Sequence, residues 1–98
     1  MNLQQLRYIV AIDRFRNFAK ATDACNISQP TLSAMLVKLE EELDVRLFER
    51  SNKKVNPTMV GEKIIRQAQQ ALMVADTLKA FMPEGMLSEG IIKYGIKL

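Results

Sequence analysis

Ser28-Gln29-Pro30-Thr31-Leu32-Ser33 gathers three hydroxyls, an amide and a rigid ring within six residues. Gln29 could read an adenine edge with two hydrogen bonds, Thr31 could meet a thymine methyl or a phosphate, and Ser33 could bond a phosphate. Pro30 is either a stiff apolar contact or simply a helix starter. A second group, Arg50-Ser51-Asn52-Lys53-Lys54, carries three cations and two small polar side chains. It suits phosphates, with affinity and little base preference. Arg16 and Lys20 could clamp further phosphates. Each group alone would pass for a solvated helix end or turn; in one small chain they point to DNA.

Catalysis has no such support. There is no histidine and a single cysteine, Cys25, which excludes a His/Cys metal cluster, a disulfide within the chain and any triad that needs an imidazole. No GxxxxGK or GxGxxG stretch is present to cradle a phosphate. Glu40-Glu41-Glu42 reads as a solvated helix face, since consecutive helical positions diverge. Cys25 falls on an apolar face and reads as core rather than sensor, and the six methionines read as core and interface filling. The expectation is a protein that is not an enzyme and needs no metal or cofactor here.

The remaining bounds are broad. With 98 residues, 48% of them hydrophobic, the chain can form one small folded domain. A net charge of +3 and a pI near 9.2 permit nucleic acid without requiring it. Gln4, Gln5 and Arg7 interrupt anything like a signal peptide, and no apolar run reaches the ~20 residues that span a bilayer. The expected place is the cytoplasm.

Elements must position these residues, and their signals are plain. Leu3, Leu6, Ile9, Val10 and Ile12 have helical spacing, with Asn2 as N-cap. Asn17 caps a second helix whose Phe18, Ala21, Ala24 and Cys25 share a face. Ser28 caps a third, in which Leu32, Leu36, Leu39 and Leu43 recur at four, three and four residues. Two short helices joined by a tight turn, the second polar at its tip, form a helix-turn-helix pattern. After Asp44, which can adopt a left-handed conformation though less readily than glycine, Leu47–Arg50 and Lys54–Asn56 read as a hairpin. Asn52 is the residue expected at positive φ, and Pro57 ends the hairpin. Thr58 caps a helix running to about Met82, on the order of 35 Å long. Its apolar stripe, Ile64, Ile65, Ala68, Leu72, Ala75 and Leu78, is expected to meet a second copy. Pro83, Gly85 and Gly90 mark a linker, and Ile91–Ile96 has strand composition.

This order of parts resembles the N-terminal half of a LysR-type bacterial transcription regulator. The likeness covers Leu3 to about Met82 and rests on Phe18 and Ala21, Ser28–Ser33, Leu39–Leu43, Val45–Arg50, Val55, Thr58 and Gly61. Ser28–Leu32 and Lys38–Leu43 are most similar to the peroxide-responsive OxyR branch. The resemblance implies a mainly α fold: a winged helix-turn-helix over residues 1–57 with a small β-hairpin wing, then a dimerisation helix over 58–82. Residues 83–98 would be a linker and the first strand of an effector-binding domain. It implies double-stranded promoter DNA as partner, a homodimer or tetramer, contact with RNA polymerase, and a signal sensed outside these residues. Ala34 and Met35 depart from the polar residues usual after Ser33, and Asp44 from a usual glycine. The competing reading is a winged-helix protein-interaction module that works through its long helix.

Overall fold

The computed structural model describes residues 1–51 and 54–81. Asn52, Lys53 and everything from Met82 onward, including the expected linker and terminal strand, lie outside the described residues. The order is α1 (Leu3–Phe15), α2 (Phe18–Cys25), α3 (Gln29–Leu43), β1 (Phe48–Ser51), β2 (Lys54–Pro57) and α4 (Met59–Lys79). All four expected N-caps are in place. Asn2, Asn17, Ser28 and Thr58 each accept from the backbone N–H three residues on, and Asn2 forms a full capping box with Gln5.

The first three helices each end on a left-handed residue, whereas α4 ends on Ala80 in a right-handed conformation. Arg16, Asn26 and Asp44 take positive φ values of 51°, 56° and 57°. At α2 the N–H of Ile27 returns to the Thr22 carbonyl at 3.1 Å and that of Asn26 to Asp23 at 3.2 Å. At α3, Val45 returns to Glu40 at 3.2 Å and Asp44 to Glu41 at 3.3 Å. Both are Schellman ends, which satisfy the last carbonyls but demand a left-handed residue. Asparagine accepts that conformation readily; aspartate also sets a negative charge against the negative end of the helix dipole. Asp44→Gly is therefore expected to stabilise the fold by about 0.5–1 kcal/mol, a rise of roughly 2–8 °C in melting temperature. Asp44→Asn should recover only the charge-related part. A thermal melt in which Asp44→Gly unfolds earlier than the parent would overturn this account.

The core is a three-helix cluster extended by the hairpin and α4. Leu6, Ile9 and Ile12 from α1 meet Phe18 and Ala21 from α2, and Leu32, Leu36 and Leu39 from α3, with Leu47, Phe48 and Val55 closing one side. The leucine face of α3 is thus buried as its spacing requires, with Leu43 half-buried at its end. On α2 the expected face is corrected. Ala24 is exposed, and Thr22 is buried in its stead because its hydroxyl donates to the Ala19 carbonyl at 2.7 Å. The hairpin is antiparallel, with Phe48 opposite Pro57 and Arg50 opposite Val55.

The long helix carries the largest correction. It ends at Lys79, short of Met82, and its 21 residues span about 31 Å. Ile65, Ala68, Leu72 and Ala75 are buried in their own protomer, where α4 lies along α1. They are core residues. Ile64 and Leu78 are only half-buried. Only part of the expected stripe is therefore open to a second copy, because packing within the chain covers Ile65, Ala68, Leu72 and Ala75.

Candidate nucleic-acid interface

Burying the leucines turns the opposite face of α3 to solvent. Gln29, Pro30 and Thr31 are exposed in the first turn, followed by Ala34, Val37 and Lys38. Pro30 sits where its missing N–H breaks no helical bond. Gln29 is the least committed of the polar groups. The Ser28 and Thr31 hydroxyls lie 2.7 Å apart and bond each other, while Ser28 also caps the Thr31 N–H. Ser33 is half-buried, which makes it less available to a phosphate than its type suggested. Val37, 53% exposed, and Lys38 continue the outward line. Their signal was legible as positions about two turns beyond Pro30; an apolar side chain there suits a thymine methyl.

The wing is fixed to this helix-turn-helix from three sides. Glu40 Oε2 accepts from Leu47 N at 2.6 Å and from Phe48 N at 3.4 Å, tying α3 to the start of β1. The acidic run is therefore not simply solvated: Glu40 is half-buried, and Glu42 pairs with the Met1 ammonium at 2.7 Å. On the second side, Arg16 donates to Asn56 of β2 at 3.2 Å while its guanidinium also pairs with Asp13 at 3.0 Å. Those bonds hold the strained end of α1, so Arg16 is a structural tie rather than a free phosphate clamp. On the third side, the Arg50 guanidinium stacks 4.1 Å from the centroid of the Phe18 ring. Arg50, Ser51 and Lys54 are all exposed, as is Lys20.

Among the described residues no group of His, Cys, Asp or Glu could hold a metal. Cys25 is half-buried and free, and desolvation by burial pushes its thiol above the ordinary value. A thiol so placed stays protonated at neutral pH, and the thiolate is the reactive form. No described helix is long and apolar enough to cross a membrane.

Residues 3–62 match the sequence profile described as "Bacterial regulatory helix-turn-helix protein, lysR family". The chain is 43% identical over 79 residues to the hydrogen peroxide-inducible genes activator of Haemophilus influenzae. It is 44% identical over the same length to the DNA-binding transcriptional dual regulator OxyR of Escherichia coli K12. Each alignment takes 81% of this chain and 26% of the relative, so the chain spans about a quarter of the length of these proteins. Among solved structures, full-length OxyR from Pseudomonas aeruginosa superposes with a TM-score of 0.79 at 46% identity, over 83% of this chain and 28% of that one. The DNA-binding domain of BenM in complex with benA DNA gives 0.79 at 37% identity, over 83% and 91%.

Proposed function

The chain belongs to the LysR family of bacterial regulatory helix-turn-helix proteins, and from that premise we propose that it is the DNA-reading part of a transcription regulator. In this reading α3 enters a major groove with Gln29, Pro30 and Thr31 foremost, and Arg50, Ser51, Lys53 and Lys54 contact phosphates. The carrying observation is the exposed polar first turn of a helix that buries Leu32, Leu36 and Leu39 in the core. The DNA complex of the BenM domain, alike over most of its length, supports the same use of the same elements. The likeness to peroxide-inducible activators supports placement in that branch. A peroxide signal would be read outside these residues, as Cys25 is poorly placed to react. Work at promoters in the cytoplasm, with RNA polymerase as a further partner, completes the proposal.

Selection from a pool of random-sequence duplexes is the direct test. One enriched motif is expected, and its affinity should fall steeply as salt rises. Replacing Arg50, Lys53 or Lys54 by alanine should weaken specific and random binding alike and flatten the salt slope by about one unit per lost phosphate contact. No enrichment together with salt-insensitive binding would favour the protein-interaction reading instead.

The self-association seam we propose keeps Ile64 and Leu78 of the expected stripe but turns away from the residues buried under α1. Val60, Ile64, Gln67, Ala71, Val74, Leu78 and Phe81 recur at alternating intervals of four and three, and each is exposed or half-buried. This is a seam for a second helix, about a quarter turn from the face that α1 covers. Phe81 is 80% exposed at its end. An open groove of about 310 Å³ lined by Met1, Leu6, Lys63, Ile64, Gln67 and Ala68 adjoins it. Val74→Glu should raise the dimer dissociation constant by roughly 100-fold or more, since each partner would bury an unpaired charge. Sedimentation of parent and variant at tens of micromolar decides it; identical oligomers would remove this seam from the interface.

A further inference from the structure

We propose that Phe18 is a positioning residue for DNA binding, a platform that holds the Arg50 guanidinium flat and leaves its N–H edge for a backbone phosphate. The inference rests on the DNA-contacting reading of the wing. Arg50 occupies an inward-facing position of β1, two residues from buried Phe48 and opposite buried Val55. An apolar side chain would be the ordinary choice there, because alternate strand residues share a face. Arginine instead lays its stem along that face and brings its head onto Phe18. The Cζ–centroid distance of 4.1 Å is well inside the ~6 Å reach of a cation–π contact. Phe18 is only 8% exposed, whereas Arg50 remains exposed.

Ring contact satisfies the charge and the plane of a guanidinium but none of its donors. Arg50 takes part in none of the ion pairs among the described residues. Its fork is thus oriented and uncommitted, the state in which arginine can grip a phosphate with two parallel bonds. The platform itself cannot drift. Phe18 follows the Asn17 cap, and Arg16 on the preceding turn bonds Asn56 on the other strand of the wing. Ordering the side chain before binding removes a cost that a free surface arginine would meet on the DNA.

A double-mutant cycle on a random-sequence duplex tests this, because phosphate contact needs no operator. Phe18→Leu should weaken binding roughly three- to ten-fold, yet have no further effect once Arg50→Ala is present; Phe18→Tyr should bind like the parent. Equal weakening by Phe18→Leu with and without Arg50 would overturn the platform while leaving the wing contact standing. An Arg50→Ala variant that binds like the parent would overturn both. Should Phe18→Leu fail to fold by circular dichroism, Arg50→Lys serves. It keeps the charge without the plane, and should lose most of what Arg50→Ala loses; parent-like binding by Arg50→Lys would overturn the platform.

Discussion

Gly61→Ala is expected to lower the melting temperature of this chain by roughly 12–24 °C, the range for a loss of about 3 kcal/mol in a domain of this size. Helix propensity alone argues the other way, since alanine is favoured over glycine by about 1 kcal/mol inside a helix. Packing decides the sign. A methyl on Gly61 would overlap the backbone carbonyl of Leu47, and no side-chain rotation relieves a clash with backbone. The first turn of α4 would have to lift away from the chain entering β1. That movement strains the Thr58 N–H bond to the Leu47 carbonyl at 2.9 Å and the Thr58 hydroxyl bond to Arg46. Those bonds hold the wing against α4, so DNA affinity should fall together with stability. A thermal melt within a degree or two of the parent would show that the close approach is not needed.

Gln29→Ala should cost roughly 1–3 kcal/mol of discrimination at one base position, the worth of a bidentate pair, with binding to random DNA nearly unchanged. The structure sharpens the reason. Ser28 and Thr31 spend hydroxyl capacity on each other, Ser33 is half-buried, and the outward line continues with the apolar Ala34 and Val37. Few other polar side chains on this face can take over. Stability should stay within about 0.5 kcal/mol, because Gln29 is exposed and off the leucine face. Binding to an enriched operator and to random duplex, measured side by side, settles the matter. Equal loss on both, or none on either, would make this turn an ordinary solvated helix end.

Much of the molecule was legible in the sequence because its determinants are local. An N-cap needs only one side chain and the N–H groups of the next turn, so Asn2, Asn17, Ser28 and Thr58 could be placed without any fold. The interval of Leu32, Leu36, Leu39 and Leu43 fixed the buried side of α3, and thereby the exposure of Gln29, Pro30 and Thr31. What the sequence could not decide was which partner each surface meets. The apolar arc of α4 is wider than one seam, and only the docking of α1 decided that Ile65, Ala68, Leu72 and Ala75 are buried while Val60, Ala71, Val74 and Phe81 stay at least partly exposed. Periodicity measures the width of an arc, not the identity of what covers it. Glu40 looked like its neighbours Glu41 and Glu42 because its acceptors' partners, Leu47 N and Phe48 N, come from the next element. Arg50 and Phe18, 32 residues apart, meet only after the hairpin has folded back on α2. Contacts between elements depend on where whole elements come to rest, and that is settled by packing the common core, not by any short stretch of chain.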